Sequence, residues 1–343
     1  MYVPLKAAEK YGTDISVDWY SALGGSDSHL DPLLTSPEQA EGMDIFLVER
    51  VNWYDGLGTW RRMMTPFRRT VYENDDDVWH VTPENPAFHT YKEGTEVREA
   101  VKRYCDTANL ITVSTKNLAE LHREMSPGVQ VEVLPNYVPE WIFDLPNDDR
   151  QGHPRIGWVG GSSHLRDLQV PGTSLKRFMD RNPEWHCYIN GVDFRNDMKL
   201  REAERGGRTY HIPWIPVCRR PKLYYRSIDF DIGLAPLFDT QFARSKSYIK
   251  ALEYAARGCV IVASDAEPYR EFIRHGENGF LVRQGQDHEW LKYITLLAND
   301  EDLRLKMKAA ALETAKQYTI EQHWQKWISA YAMLFPLNWE FQK

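Results

Sequence analysis

A glycine- and serine-rich stretch near the middle of the chain has the composition of a phosphate-binding loop. Gly160, Gly161 and Ser162 follow a short apolar segment and precede a predicted helix start. Glycine lets a backbone approach a ligand closely, and the N–H groups at a helix N-terminus suit a phosphate. His164 or Arg166 could add positive charge. The same residues could equally form a plain tight turn, and they match neither a Walker loop nor the G-x-G-x-x-G pattern.

A second candidate site lies at the start of the predicted helix Lys246–Arg257, which we expect to have a serine at its N-cap. Lys246 stands beside that helix N-terminus, and helix N-termini attract anions. Glu253 follows two turns later, at the edge of the apolar face. It either accepts hydrogen bonds from ligand hydroxyls or is simply solvated or paired with Lys250 or Arg257. Neighbouring candidates for ligand binding are Ser247, Tyr248 and Ile249.

Clustered carboxylates in residues 72–80 (YENDDDVWH) indicate a metal site or a catalytic base. The cluster ends a predicted strand, and α/β proteins place ligands at the carboxyl ends of parallel strands. Asp76, Asp77 and His80 are the candidates, although most acidic runs are solvated loops and part of this one should be too. Arg50, after the strand IFLVE, could reach the same region or pair with Glu49.

Short β-branched or aromatic segments alternate with helical ones along the whole chain. The polar stretch 147–154 (NDDRQGHP) predicts an interdomain linker between two such blocks. Two blocks of this kind predict two parallel-sheet α/β domains. The predicted strands are Ile15–Tyr20, Ile45–Val51, Arg69–Glu73, Leu110–Ser114, Val129–Leu134, Arg155–Val159, Trp185–Asn190, Thr209–Ile215, Phe230–Ala235, Cys259–Ala263 and Phe280–Val282.

Helical patterns lie between and around these strands. The segment LAELHREM is amphipathic, with N-cap candidates in residues 114–117. Further helices are predicted over Val3–Tyr11, Pro268–His275 and Thr319–Phe335. The last one places apolar residues on one face, and it either docks across both domains or caps the second one. That face comprises Trp324, Trp327, Ile328, Tyr331 and Leu334.

Composition excludes several classes of protein. The 343 residues suggest two domains, and 42% hydrophobic with 27% charged residues exclude disordered, collagen-like and coiled-coil chains. The net charge of -7 argues against broad nucleic-acid binding. No apolar run approaches the roughly 20 residues of a membrane span, and the first residues lack the pattern of a signal peptide, so we expect none there. Four separated cysteines argue against a zinc knuckle and favour reduced thiols, so we expect a cytoplasmic protein.

Residues 246–265 (KSYIKALEYAARGCVIVASD) resemble the donor-binding segment of GT-B glycosyltransferases. The similarity is greatest to the large retaining family with a Glu-x7-Glu motif, which includes phage-encoded members. The strings ENDDDVW, VSTKNLA and VLPNYV add a weaker likeness in the first half. The resemblance implies an α/β, GT-B fold with two Rossmann-like parallel-sheet domains facing each other across a cleft.

The implied domains are an acceptor-side domain in residues 1–148, a nucleotide-sugar-binding domain in 149–320, and a C-terminal helix in 321–343 that packs back toward the first domain. The first domain opens inside what resembles the first helix of a Rossmann-like half. Either its first strand is missing or another segment fills the central position.

By resemblance, the protein is a metal-independent hexosyl- or pentosyltransferase that uses a nucleotide-diphosphate sugar as co-substrate, needs no cofactor and retains configuration. The acceptor would be a glycan, a protein, a lipid-linked glycan or a modified nucleic acid. Alternatives are a catalytically inactive nucleotide- or sugar-binding protein and a GT-B epimerase or phosphorylase.

The resemblance also assigns roles to residues. Lys246 and Arg166 would neutralise the diphosphate, supported by Gly160 and Gly161, and Glu253 would bind the ribose. Ser245 stands where the motif has its first glutamate. Trp214 and Ile215 would hold the nucleobase or else belong to the core. The acceptor-side candidates, in addition to the acidic cluster, are Arg50 and Asn136.

Overall fold

The computed structural model describes residues 2–10, 16, 43–49, 58, 60–61, 64, 68–147, 152–201, 206–217 and 219–335. Arg50 and, apart from Ser16, the predicted strand Ile15–Tyr20 lie outside these residues. The chain divides into two compact units. The first consists of residues 1–81, 89–135 and 320–343, and the second consists of 82–88 and 136–319.

The first unit contains, within the described residues, a four-stranded parallel sheet in the order β1-β2-β3-β4. These strands coincide with predicted ones to within two residues at each end. Thr115 caps the following helix by accepting a hydrogen bond from the Leu118 N–H, as the sequence predicts. The strands are Ile45–Glu49 (β1), Arg69–Asn74 (β2), Leu110–Val113 (β3) and Gln130–Val133 (β4).

The second unit contains a six-stranded parallel sheet in the order β10-β9-β8-β5-β6-β7. The chain moves outward from β5 to β7 and then returns to the other side of β5. Such a reversal creates a crevice at the carboxyl ends of the strands, where open α/β sheets bind ligands. The strands are Arg155–Gly160 (β5), His186–Gly191 (β6), Thr209–Pro213 (β7), Ile232–Ala235 (β8), Val260–Ser264 (β9) and Gly279–Val282 (β10).

The two central strands separate where the order reverses. β5 and β8 pair at only two positions, Ile156 with Ile232 and Gly157 with Gly233. Beyond these positions a tyrosine side chain bridges the two strands. The Tyr254 hydroxyl accepts from the Val159 N–H at 3.0 Å and donates to the Leu234 carbonyl at 3.1 Å. A helix that carries Tyr254 therefore fills the gap between the strands.

Helices surround both sheets, and several differ from their predicted bounds. The helix predicted over Lys246–Arg257 begins three residues later, at Ile249. In place of the helix predicted over Pro268–His275, the structure has a single turn, Glu267–Arg270. The C-terminal helix is split in two, and both parts contact Tyr2–Lys10 in the first unit. The helices are Tyr2–Lys10, Phe88–Tyr91, Glu96–Thr107, Lys116–Met125, Leu165–Arg181, Pro221–Ser227, Gln241–Arg244, Ile249–Ala256, Glu267–Arg270, Asp287–Asn299, Glu301–Ala315, Ile320–His323 and Gln325–Ala332, with 3₁₀ turns at Glu140–Ile142 and Ser162–His164.

The predicted apolar face of the C-terminal segment is confirmed, since Trp327 and Tyr331 are buried and the other three members are half-buried. Among the described helices, none has the length and apolar composition needed to cross a membrane.

Candidate functional site

The glycine-rich loop lies at the carboxyl end of β5, where the strand order reverses. A Cβ on Gly160 would lie 2.4 Å from the Trp158 ring. Gly191 has φ +108°, and a Cβ there would lie 2.0 Å from the Gly160 carbonyl oxygen. Both positions therefore require glycine. After Gly161, Ser162–His164 form a 3₁₀ turn that leads into the helix Leu165–Arg181.

His164 is paired with Asp167 beneath this loop. The distance from His164 Nδ1 to Asp167 Oδ2 is 2.7 Å, so the carboxylate holds the ring with Nδ1 protonated. Asp167 Oδ1 accepts from the Phe238 N–H at 2.7 Å. Burial, together with the nearby Lys250 and Lys246, lowers the pKa of His164 to about 4. His164 is therefore neutral near pH 7, and the expectation that it adds positive charge is wrong.

Arg166 and Lys246, the two cations expected at a phosphate site, line one open pocket in the second unit. The Arg166 guanidinium lies 3.7 Å from the centroid of the Phe238 ring, and Lys246 Nζ lies 4.4 Å from that of Phe242. An aromatic face attracts a cation without neutralising its charge. The pocket is open to solvent and is lined by Thr82, Glu84, Asn85, Ser163, Arg166, Asp167, Phe238, Thr240, Phe242, Ala243 and Lys246.

The sequence pattern placed Glu253 at the edge of an apolar helix face. In the structure it is instead buried inside the second unit. Its side chain accepts a hydrogen bond from the Tyr224 hydroxyl at 2.9 Å and another from Tyr225. Burial raises the pKa of Glu253 to about 7, against the opposing effect of these bonds and of Lys250. Arg257, the other partner considered, donates instead to carbonyl groups in residues 142–146 and to Asn147.

Lys250 is a buried cation directly below the glycine loop. It donates to the Val159 carbonyl, and its Nζ lies 5.0 Å from the Trp158 ring centroid. Burial lowers the pKa of Lys250 to about 8, although the charge of Glu253 acts in the opposite direction. Of the two basic residues considered beside Glu253, Lys250 is the one whose charge favours ionisation of the glutamate.

The residues at the start of this helix have mixed roles. Ser247 Oγ accepts from Asn136 Nδ2 at 2.8 Å, which ties the acceptor-side candidate Asn136 to the second unit. The N-cap position is occupied by Tyr248, with no side-chain cap, so the expected serine cap is wrong. Tyr248 is buried and stacks on Phe272, so it packs in the core, and Ile249 packs beside it.

Trp214 is an exposed aromatic residue beside the glycine loop. Its residue exposure is 56%, which excludes the alternative of a core tryptophan. A Cβ on Gly161 would lie 3.7 Å from its ring, so the indole is adjacent to the loop backbone. Ile215 is half-buried.

The acidic candidates belong to the first unit and organise a turn. Asp77 Oδ1 accepts from the N–H groups of Trp79 and His80, both at 3.1 Å, and the His80 ring nitrogen Nδ1 lies 2.9 Å from Asp77 Oδ2. The Asp77 side chain is fully buried. Asp76 is half-buried, and its carbonyl accepts from Asn74 Nδ2 at 2.8 Å. Asp77 therefore holds the turn, while the His80 side chain remains 46% exposed.

Several residues around the pocket were not predicted from the sequence. Asp167 and Lys250 were not among the residues that the sequence analysis proposed for ligand binding. Glu84, Phe238 and Phe242 carry no local signal, because only the fold brings them to the two cations. Ser245, at the place of the first glutamate, is buried, and its hydroxyl donates to the Gln241 carbonyl at 3.3 Å.

Comparison with known proteins supports the predicted resemblance. Residues 248–314 match the family model described as glycosyl transferases group 1. D-inositol 3-phosphate glycosyltransferase from Corynebacterium glutamicum is 21% identical over 280 residues, which cover 71% of this chain and 64% of that protein. An uncharacterized glycosyltransferase from Haemophilus influenzae is 34% identical over 146 residues, which cover 42% of this chain and 39% of that protein. The chain thus spans less than two thirds of either relative's length.

Solved structures show the fold. HepE from Anabaena, solved in complex with UDP and glucose, superposes with a TM-score of 0.61 at 18% identity, covering 90% of this chain and 83% of that one. The prediction of a GT-B fold with two parallel-sheet α/β domains is therefore confirmed, as is the resemblance to GT-B glycosyltransferases.

Proposed function

We propose that this chain is a glycosyltransferase that moves a hexosyl or pentosyl group from a nucleotide-diphosphate sugar to an acceptor hydroxyl, with retention of configuration. The pocket formed around Arg166 and Lys246 carries the proposal. Two cations seated on aromatic rings lie beside a glycine loop at the reversal of the strand order. Cations and loop N–H groups are the donors that a diphosphate requires.

In the proposed reaction, the bond between the anomeric carbon and the diphosphate oxygen breaks while the acceptor oxygen bonds to the same face of that carbon. The acceptor proton passes to the departing diphosphate, which leaves as a nucleoside diphosphate. Lys246 and Arg166 stabilise the charge that develops on the leaving oxygen. Because these side chains supply the positive charge, we propose that the reaction needs neither a metal ion nor a cofactor.

The base and ribose of the donor would lie on the other side of the loop. Trp214, exposed beside Gly161, offers a flat apolar surface against which a nucleobase can stack. Glu253 would reach the ribose only if its hydrogen bond from Tyr224 were exchanged for one from the ligand. HepE was solved with UDP and glucose, so UDP-hexoses are the first donors to test.

For the first unit we propose a role in acceptor binding, with exposed His80 as its best-placed candidate. We also propose a cytoplasmic location, in keeping with the buried cysteines Cys105, Cys187 and Cys259.

A panel of nucleotide sugars tests the proposed function against the alternative of an inactive binding protein. The purified chain is incubated with each donor, and released nucleoside diphosphate and glycosylated product are measured by mass spectrometry. We expect turnover with at least one donor, by hydrolysis alone or by transfer to glycan, protein, lipid-linked or nucleic-acid acceptors. Thermal stabilisation by a donor without turnover would support the inactive binder and contradict the proposal.

Replacing Trp214 with alanine tests the donor orientation. We expect the KM for the donor to rise about tenfold with kcat nearly unchanged, because a stacked base contributes roughly 1–3 kcal/mol to binding. Steady-state kinetics with varied donor provide the measurement, and Trp214→Phe should recover most of the affinity. An unchanged KM in the alanine variant would place the nucleobase elsewhere.

A further inference from the structure

Glu84 is a carboxylate in the same pocket as Arg166 and Lys246. We propose that Glu84 binds hydroxyl groups of the transferred sugar and so contributes to donor specificity. This inference rests on the proposed function, because it assigns the sugar end of the same donor.

The pocket contains a second carboxylate, Asp167, which is already fully engaged. One of its oxygens is bonded to His164 and the other accepts the Phe238 N–H, each at 2.7 Å. The residue is buried, and these two bonds fix the glycine-loop helix to the segment after β8. Asp167 therefore uses both of its oxygens within the protein and organises the pocket wall.

Glu84 differs from Asp167 in its exposure. Its side chain is 53% exposed, and Oε1 lies 3.3 Å from Arg166 Nη1. Hydrogen bonds from its own backbone N–H and from Thr82 lower the pKa of Glu84, and the charge of Arg166 adds to this effect. The side chain is thus an ionised acceptor whose outer surface faces solvent, and a carboxylate has about four lone-pair sites.

The chemistry of a nucleotide sugar separates the roles of these groups. Its diphosphate needs cations and is repelled by a carboxylate, whereas its sugar hydroxyls are donors that a carboxylate accepts well. Arg166 has five N–H donors in a planar fork, so it can hold Glu84 on one edge and a phosphate on another. Ser245 is less suited as the acceptor, since it is buried and carries no negative charge. Glu84 is consequently the pocket carboxylate placed to receive the sugar.

A competing assignment gives the opposite result. If Glu84 only neutralised Arg166 in the absence of a ligand, the donor diphosphate would have to displace it. Removing the charge of Glu84 would then strengthen the binding of every nucleoside diphosphate, with or without a sugar.

Calorimetric titration of wild type and Glu84→Gln with UDP and with UDP-glucose distinguishes these assignments. If wild type does not bind UDP-glucose, the titration uses the best donor of the panel instead. UDP is then replaced by the nucleoside diphosphate of that donor. We expect the variant to bind the nucleoside diphosphate within about twofold of wild type and the nucleotide sugar about tenfold more weakly, the loss typical of a charge-assisted hydrogen bond. Glu277→Gln is the matched control, since Glu277 forms a surface ion pair with Arg274 at 2.8 Å and lies outside the pocket.

Tighter binding of the nucleoside diphosphate by Glu84→Gln would overturn the inference in favour of the competing assignment. Unchanged affinity for both ligands would overturn it as well, by showing that Glu84 is only a surface residue. Failure of wild type to bind any nucleotide sugar would instead refute the proposed function, and the inference with it. A change in affinity seen only in Glu84→Gln therefore tests the role of Glu84, whereas binding by wild type tests the proposed function.

Discussion

Replacing Lys246 with alanine is expected to lower kcat about 100-fold, the usual loss when one stabilising donor is removed from a leaving group. Lys246 Nζ is seated 4.4 Å from the centroid of the Phe242 ring and lines the pocket with Arg166. Its ammonium group thus shares the pocket with the Arg166 guanidinium, and no other described lysine lines this pocket. The measurement is steady-state turnover with the best donor of the panel.

A lysine with the same kind of contact elsewhere provides the control. Lys292 Nζ lies 5.0 Å from the Tyr293 ring centroid and does not line the pocket, so Lys292→Ala should keep wild-type kinetics. Lys246→Arg keeps the charge and should recover much of the activity. Near-wild-type turnover in Lys246→Ala, with an unchanged melting temperature, would mean that the leaving diphosphate is stabilised elsewhere.

The sequence was sufficient to locate those candidate residues whose position depends on local structure. Gly160 and Gly161 follow a buried strand, and Lys246 precedes a helix, so each could be recognised from a strand–loop–helix pattern of fewer than ten residues. Strands such as β9, with its run of β-branched residues, were predicted for the same reason. In each case the physical cause lies within one element.

Residues brought together by the tertiary fold could not be predicted in this way. Phe238 and Phe242 seat two cations, and Glu84 reaches Arg166 from a segment about 80 positions away. Tyr254 fills a gap that exists only because two strands adjacent in the sheet are separated by other strands in sequence. A hydrophobicity pattern contains no information on such pairs.

The burial of Glu253 is a second feature that the sequence pattern could not predict. The helical period placed it at the edge of an apolar face, but it lies under Tyr224, which belongs to another helix. A glutamate in this position is stable only because hydroxyl donors and Lys250 compensate for its lost hydration. The Tyr224 hydroxyl that compensates Glu253 lies about 30 positions away in the sequence, so a local pattern does not reveal it. The shifted pKa of Glu253 also makes the stability of the second unit depend on pH.

Replacing Lys250 with methionine should give a loss of stability that grows with pH. Burial raises the pKa of Glu253 from its usual value near 4.5 to about 7, so the glutamate lowers folding stability as pH rises from about 4.5 to about 7. In wild type this decline ends near pH 7, because Lys250 helps the carboxylate to ionise. Without Lys250 the pKa of Glu253 rises further, and the decline continues to higher pH.

The lysine itself has the opposite dependence, which makes the comparison diagnostic. Burial lowers the pKa of Lys250 to about 8, so the cost of keeping its charge buried is fully present below that pH and is relieved as pH rises from about 8 to 10.5. Methionine removes this cost. We therefore expect Lys250→Met to be as stable as wild type or more stable at pH 5.5, where Glu253 is mostly neutral. By pH 7.5 the variant should have lost about 1 kcal/mol relative to wild type, because its decline continues at about 1.4 kcal/mol per pH unit after that of wild type has ended near pH 7.

Urea unfolding at the two pH values measures this difference, and a double variant tests its cause. Glu253→Gln keeps an acceptor for the Tyr224 hydroxyl but cannot ionise. Combined with Lys250→Met, it should remove the excess loss at pH 7.5, because no buried carboxylate is then left without its cation. If Lys250→Met lost the same stability at both pH values, the cause would be a packing defect against the Trp158 ring, since only an electrostatic partnership between Lys250 and Glu253 changes with proton concentration in this range.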